Sequence, residues 1–291
     1  MSEKIVKANG VDICTQVFGD PSDPPILLVM GATASMLAWH DELCERLAAG
    51  GRYVIRYDNR DTGCSTTYDL GTVPYTVEDM ADDAVGVLDA YGIERAHIVG
   101  ASMGGMITQQ IALRHPERVL TITPIMSTPD PSGVAMAVAG GESASPLPMP
   151  TEAVMALAVT GATLDWADEA AVIERNVQAG RVLAGSRHPF DEDGVRDLAS
   201  REMKRASNYS STQNHIIAIA NTPRWRERLA SLDVPTLVIH GTEDPILPIE
   251  HGRALAQDIP GAKLLEMDGS GHEIPRPEWE RVVPAILEHT S

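Results

Sequence analysis

The stretch that most constrains this chain is Gly100-Ala101-Ser102-Met103-Gly104-Gly105, set between two apolar runs. Ala96 to Val99 before it reads as a short buried strand. Met106 to Arg114 after it reads as a helix, with apolar residues at Met106, Ile107, Ile111 and Leu113. A strand that passes straight into a helix must turn sharply, and the G-x-S-x-G spacing supplies small residues that let the two elements close on each other. Ser102 then stands at the tip of the turn, its hydroxyl lifted out of the sheet, as a nucleophile elbow requires. The glycine order is not G-x-G-x-x-G, and no G-x-x-x-x-G-K-[ST] occurs, so the turn does not read as a nucleotide cradle.

The segments around this turn alternate. Residues 1–20 read as a hairpin, Ile5 to Lys7 and Val11 to Phe18 about a turn at Asn9-Gly10. Ile26 to Met30 is a strand, Met36 to Ala49 a helix, Tyr53 to Tyr57 a strand, Val77 to Tyr91 a helix, and Val119 to Met126 a strand after the elbow helix. This rhythm predicts an α/β fold with a doubly wound, mostly parallel sheet. It breaks near Ser127. Residues 128–150 are rich in Pro, Gly, Ser and Ala, and 151–231 carry only helical patterns: Glu152 to Val159, Ala167 to Leu183, Gly194 to Ala206 and His215 to Ala220. Strands return at Val234 to His240 and Lys263 to Met267, with helices at Ile249 to Gln257 and Trp279 to Glu288. The expected organisation is a core from residues 1–127 and 232–291, with 128–231 inserted as a helical cap.

The 291 residues, 43% of them apolar, suffice for one large core. Phe occurs only at Phe18 and Phe190, so Leu, Ile, Val, Ala and Met must do most of the packing. A formal charge of −18 without a basic cluster argues against nucleic acid as a partner. The N-terminus lacks the apolar core of a signal peptide, and Ile26 to Met30 is too short to cross a membrane, so a cytoplasmic protein without membrane contact is expected. Cys14, Cys44 and Cys64 lack metal-ligand spacing and fit a reducing compartment. No metal or other cofactor is expected.

A serine hydroxyl at neutral pH needs a base within reach and an acid to orient that base. In doubly wound hydrolytic sheets these follow as Ser, Asp/Glu, His, each just after a strand. Asp244, in HGTEDPILP after the Val234 to His240 strand, fits the acid. His272, in DGSGHEIP after the Lys263 to Met267 strand, fits the base. Glu243 and Asp130 are rival acids, although Asp130 lies in a Pro-rich stretch suited to turn formation. His240 sits on an apolar strand and reads as a core histidine. An oxyanion needs two N–H donors: Met103, directly after the serine, supplies one, and the loop after the Ile26 to Met30 strand supplies the other, from Ala32 or else Gly31.

These residues resemble the α/β-hydrolase family from about Ile26 to the C-terminus, except over the cap. YDNRDTGCS is similar to the family's D-x-R-G-x-G-x-S turn, and the G-x-x-D-x-I-x-P around Asp244 also matches. Within the family, the elbow, the VMGATAS loop and the RYDNRDTGCST turn look most like the aclacinomycin methylesterase branch, in which an ester of an aromatic polyketide is cleaved. Many relatives carry His-Gly at the oxyanion loop, whereas this chain has Met30-Gly31. Arg60 and Asp61 could form a catalytic-site pair, but the expectation is an ion pair that braces their turn, and Cys64 is expected to pack. Met30, Met103, Met126, Met136, Met149 and Met155 could line an adaptable apolar pocket or simply fill the core.

The expectation is a serine esterase acting on a small to medium, largely apolar ester, possibly a polyketide-like methyl ester. Perhydrolysis or C–C bond hydrolysis on the same three residues, or ligand binding without turnover, are the alternatives. Monomer and homodimer stay equally open.

Overall fold

The computed structural model describes residues 2–133, 145–161 and 164–291. Asn9 and Gly10 both take positive φ, 46° and 80°, as a two-residue type I′ hairpin turn requires. They join β1 (Lys4–Ala8) to β2 (Val11–Phe18), with Ala8 opposite Val11. β2 runs antiparallel to β4 (Tyr53–Tyr57), and from β4 onward the sheet is parallel: β3 (Pro25–Val29), β5 (Ala96–Ala101), β6 (Val119–Ile125), β7 (Leu237–Gly241) and β8 (Lys263–Met267). The eight strands lie in the order β1-β2-β4-β3-β5-β6-β7-β8. Because the parallel strands share one direction, their carboxyl ends, and the loops that follow, share one edge.

Both faces are covered. Along β3, Leu27 and Val29 enter one apolar cluster while Ile26 and Leu28 enter the other, the alternation that a pleated strand buried on both sides must show. The first cluster takes in α2 (Val77–Ala90), α3 (Met103–Arg114) and α8 (Glu250–Asp258). The second takes in α1 (Asp41–Ala49) and α9 (Trp279–His289). The doubly wound α/β architecture is as expected.

Two elements differ from the sequence pattern. The helix expected from Met36 is a 3-10 turn, Met36–Ala38, that breaks at Trp39 before α1 begins. The guanidinium of Arg56, only 1% exposed, donates to the Trp39 carbonyl and takes it out of the helical ladder. β7 begins three residues late because Pro235, without an N–H, cannot complete a central ladder; its carbonyl still accepts from Ile122 at 3.0 Å.

Beyond β6 come α4 (Glu152–Gly161), α5 (Glu169–Leu183), α6 (Glu192–Arg205) and α7 (Asn214–Asn221). The side chains of Asp168 and Asp191 cap α5 and α6 by accepting from Ala171 N and Gly194 N. α5 and α6 pack on each other. Residues from α7 onward behave differently: Ala218, Ile219, Trp225, Leu229 and Leu232 belong to the first core cluster. That end of the expected insertion is continuous with the packing of the sheet. Among the described residues, no helix is long and apolar enough to cross a membrane.

Candidate active site

Ser102 links β5 to α3 with φ 54° and ψ −118°, a sparsely populated conformation that costs about 1–3 kcal/mol and persists only when its surroundings enforce it. They do. Its N–H donates to Ile125 O at 2.8 Å, and its carbonyl accepts from Gly105 N and from Ser127 Oγ, both at 2.9 Å. A Cβ at Gly100 would lie 2.2 Å from Gly104 O, and one at Gly104 would lie 2.1 Å from Val29 O. Strand, turn and helix thus meet backbone to backbone, which only glycine allows. Met103, as the first residue of α3, has no acceptor within the helix for its N–H.

Asp244 and His272 come together from the loops after β7 and β8. The Nδ1 of His272 lies 2.7 Å from Asp244 Oδ2. The other carboxylate oxygen, Oδ1, accepts from Ile246 N and Leu247 N, both at 2.9 Å. The carboxylate is therefore held at both ends, and, because it can only accept, Nδ1 is the donor in this contact. Burial pushes Asp244 toward the neutral form, but His272, His240 and the Leu247 N–H outweigh it and hold the carboxyl below its ordinary range. Among the described residues, no hydrogen bond joins the Ser102 hydroxyl to His272.

The loop after β3 completes the arrangement. A Cβ at Gly31 would sit 3.0 Å from Ser102 Cβ and 3.1 Å from Ala101 O, so this loop runs directly beside the serine. Its later N–H groups are committed: Thr33 to His215 Nδ1, Ser35 to Glu202 Oε1, Met36 to Asp58 Oδ1 and Leu37 to Ser35 Oγ. Among the described residues, the N–H groups of Gly31 and Ala32 have no such partner. Buried Asn59 holds the loop's entry, donating from Nδ2 to Met30 O at 2.9 Å.

The rival acids are engaged elsewhere. Glu243 accepts from the Ser186 N–H and hydroxyl, each at 2.8 Å, and Asp130 accepts from Ser132 N at 3.1 Å and Arg224 at 3.1 Å. His240 is buried, as expected of a core residue, yet only half satisfied. Its Nε2 meets Leu247 O at 2.7 Å and lies 3.5 Å from Asp244 Oδ2, while Nδ1 has no partner among the described residues.

Arg60 and Asp61 do not pair, contrary to expectation. Asp61 adopts φ 65°, which sends the two side chains apart. Arg60 donates to both oxygens of Asp83 in α2, from Nε at 2.6 Å and from Nη2 at 2.5 Å, while Asp61 accepts from the Tyr75 hydroxyl and from Tyr68 N at 2.6 Å. Cys64 sits against the Arg205 carbonyl at 3.3 Å, and burial raises its thiol above the ordinary range. Met103 is in one core cluster, Met30 and Met126 in the other, so these three fill the core. Met149 is 39% exposed, and Met136 lies outside the described residues.

Sequence reasoning missed Glu202, His215 and the segment from Leu183 to Arg187, all of which contact the loops above. Nothing local marks them.

A sequence profile described as alpha/beta hydrolase fold matches residues 24–275. Across its whole length the chain is 37% identical to a rhodomycin D methylesterase from Streptomyces sp. strain C5 and 35% identical to one from Streptomyces peucetius, covering 98% of each. It is 30% identical to a 2-hydroxymuconate semialdehyde hydrolase from Pseudomonas sp. strain CF600, with 85% of this chain and 80% of that one aligned. In fold it is similar to an esterase from Rhodococcus sp. ECU1013, with a TM-score of 0.77 at 23% identity over 100% of this chain and 98% of that one.

Proposed function

Because this chain belongs to the alpha/beta hydrolase family, we propose that it hydrolyses a carboxylic ester through an acyl-enzyme formed on Ser102. His272 Nε2 takes the Ser102 proton as Oγ attacks the ester carbonyl, then returns it to the departing alcohol. A water activated by the same nitrogen releases the acid. Asp244 keeps the imidazole in the tautomer with hydrogen on Nδ1 and stabilises the imidazolium. The N–H groups of Met103 and Ala32, with Gly31 as second choice, receive the oxyanion. One observation carries this assignment: the 2.7 Å contact between His272 and an Asp244 carboxylate already saturated on its other oxygen.

The substrate we propose is a largely apolar methyl ester, polyketide-like, since relatives similar over the full chain are named methylesterases. We assign residues 128–231 to the cap that selects it, with 210–231 as the part that anchors the cap to the core. The three free cysteines fit a cytoplasmic setting.

Hydrolysis of p-nitrophenyl esters of increasing acyl length, by wild type and Ser102→Ala, tests the mechanism. A loss of ~10³-fold or more in the variant is expected, and activity that survives the substitution would overturn it. The relative named for a semialdehyde hydrolase gives C–C hydrolysis a claim as second reading. A vinylogous diketone cleaved faster than any ester would favour it.

A further inference from the structure

The loop beside Ser102 is held from outside the sheet. Ser35 donates to Glu202 Oε1 twice, from its N–H and from its hydroxyl, both at 2.8 Å. Thr33 donates its N–H to His215 Nδ1 at 3.0 Å. These acceptors lie 167 and 182 residues further along the chain, on α6 and α7. We infer that Glu202 and His215 are positioning residues for the oxyanion-binding loop, fixing the path from Gly31 to Ser35 and with it the direction of the Ala32 N–H. The inference rests on the ester-hydrolase reading above.

The geometry is demanding at each point. Thr33 takes φ 66°, an outlier for a β-branched residue that needs an external restraint. His215 supplies one. Its Nδ1 accepts from Thr33, so Nε2 carries the hydrogen and donates to Arg60 O at 2.7 Å. Burial lowers its pKa, which keeps the ring neutral and able to accept. The imidazole thus spans the β3 loop and the turn after β4.

Glu202 grips the next residue but one. Buried Ser35 gives it two donors, and a carboxylate accepts such bonds more strongly than a carboxylic acid does. Asp58 faces Glu202 from the turn after β4, Arg205 from its own helix and Tyr209 from the segment beyond α6. Burial pushes the Glu202 carboxyl up to about 7, against the Ser35 bonds and Arg205. Protonation in the neutral range weakens the hold on Ser35 and loosens the loop.

Glu202→Gln keeps shape and one acceptor while removing the charge. Two readouts apply: phosphonylation of Ser102 by a fluorophosphonate, and kcat for p-nitrophenyl acetate against pH. The variant is expected to label and turn over about 10-fold more slowly, short of the ~10²-fold cost of a 1 Å misplacement, with KM within about 2-fold. The acid limb of kcat should lose, in the variant, the step that protonation of Glu202 contributes in wild type. A variant that matches wild type in rate and slope overturns the inference and leaves the ester reading intact. A wild type that the fluorophosphonate does not label overturns both. Should Glu202→Gln not fold, Ser35→Ala, which removes one of the two donors, must lower kcat at unchanged KM, and an unchanged kcat overturns the inference.

Discussion

The N–H of His272 donates to the carbonyl oxygen of Leu183 at 2.8 Å, so the histidine loop supplies the donor that the last turn of α5 lacks. The following residues extend the contact: Arg187 N donates to Gly269 O at 3.0 Å, and Ser186 binds Glu243 beside Asp244. One short segment therefore runs along the loops of both Asp244 and His272.

Gly185 is where that segment passes closest. A Cβ there would lie 2.1 Å from Gly269 O and 2.5 Å from Gly271 N, both backbone atoms that cannot rotate aside. Gly185→Ala is expected to displace the His272 loop. Ester kcat should fall by ~10-fold or more, and stability in urea by about 1–3 kcal/mol. Unchanged kcat would show the loop to be set without this contact.

Asp244→Asn should reduce kcat by about 10⁴-fold, the scale seen when a triad acid is replaced by its amide. The substitution also has a stability signature. Asp244 is held below its ordinary value of 3.8 in the folded protein. The stability it contributes is therefore present above that pH and is lost as pH falls through the lower, folded value. The stability gap between wild type and variant, read from urea midpoints, should shrink as pH falls below about 4.

Gly104→Ala tests the elbow. With Val29 O at 2.1 Å from the new Cβ, β3 and α3 must separate. We expect a loss of at least about 1–3 kcal/mol together with ester activity, whereas Gly10→Ala, with nothing within 4 Å but φ 80°, should cost stability alone.

Asp83→Ala leaves Arg60 buried without its partner. Arg60 and Asp83 are 6% and 2% exposed, and breaking such a pair from one side costs about 3–5 kcal/mol. Thermal unfolding measures it. Replacing both residues with apolar ones should recover part of the loss.

The sheet and the elbow were legible because both are written locally. A buried parallel strand is a short apolar run, and G-x-S-x-G between strand and helix has few other uses. That Asp244 and His272 would meet was also readable, since each follows a strand whose carboxyl end must face the same edge. Glu202 and His215 were not, because their meaning lies in Ser35 and Thr33, far away in sequence. Arg60 and Asp61 misled for the opposite reason. Adjacent and oppositely charged, they invite pairing, but a left-handed residue between strand and loop turns them to different partners. Trp39 shows a third limit, since a helical pattern gave way to one buried guanidinium.

The long-range grip on Ser35 and Thr33 bears on how such enzymes diversify. Residues 128–231 exchanged between relatives as a block would carry away Glu202 and His215, and with them the partners of Ser35 and Thr33. Recombination points that preserve activity in this chain should therefore fall before α5 or leave its partners in place, so that new substrate preferences arise by change within α4 and its flanks rather than by wholesale replacement.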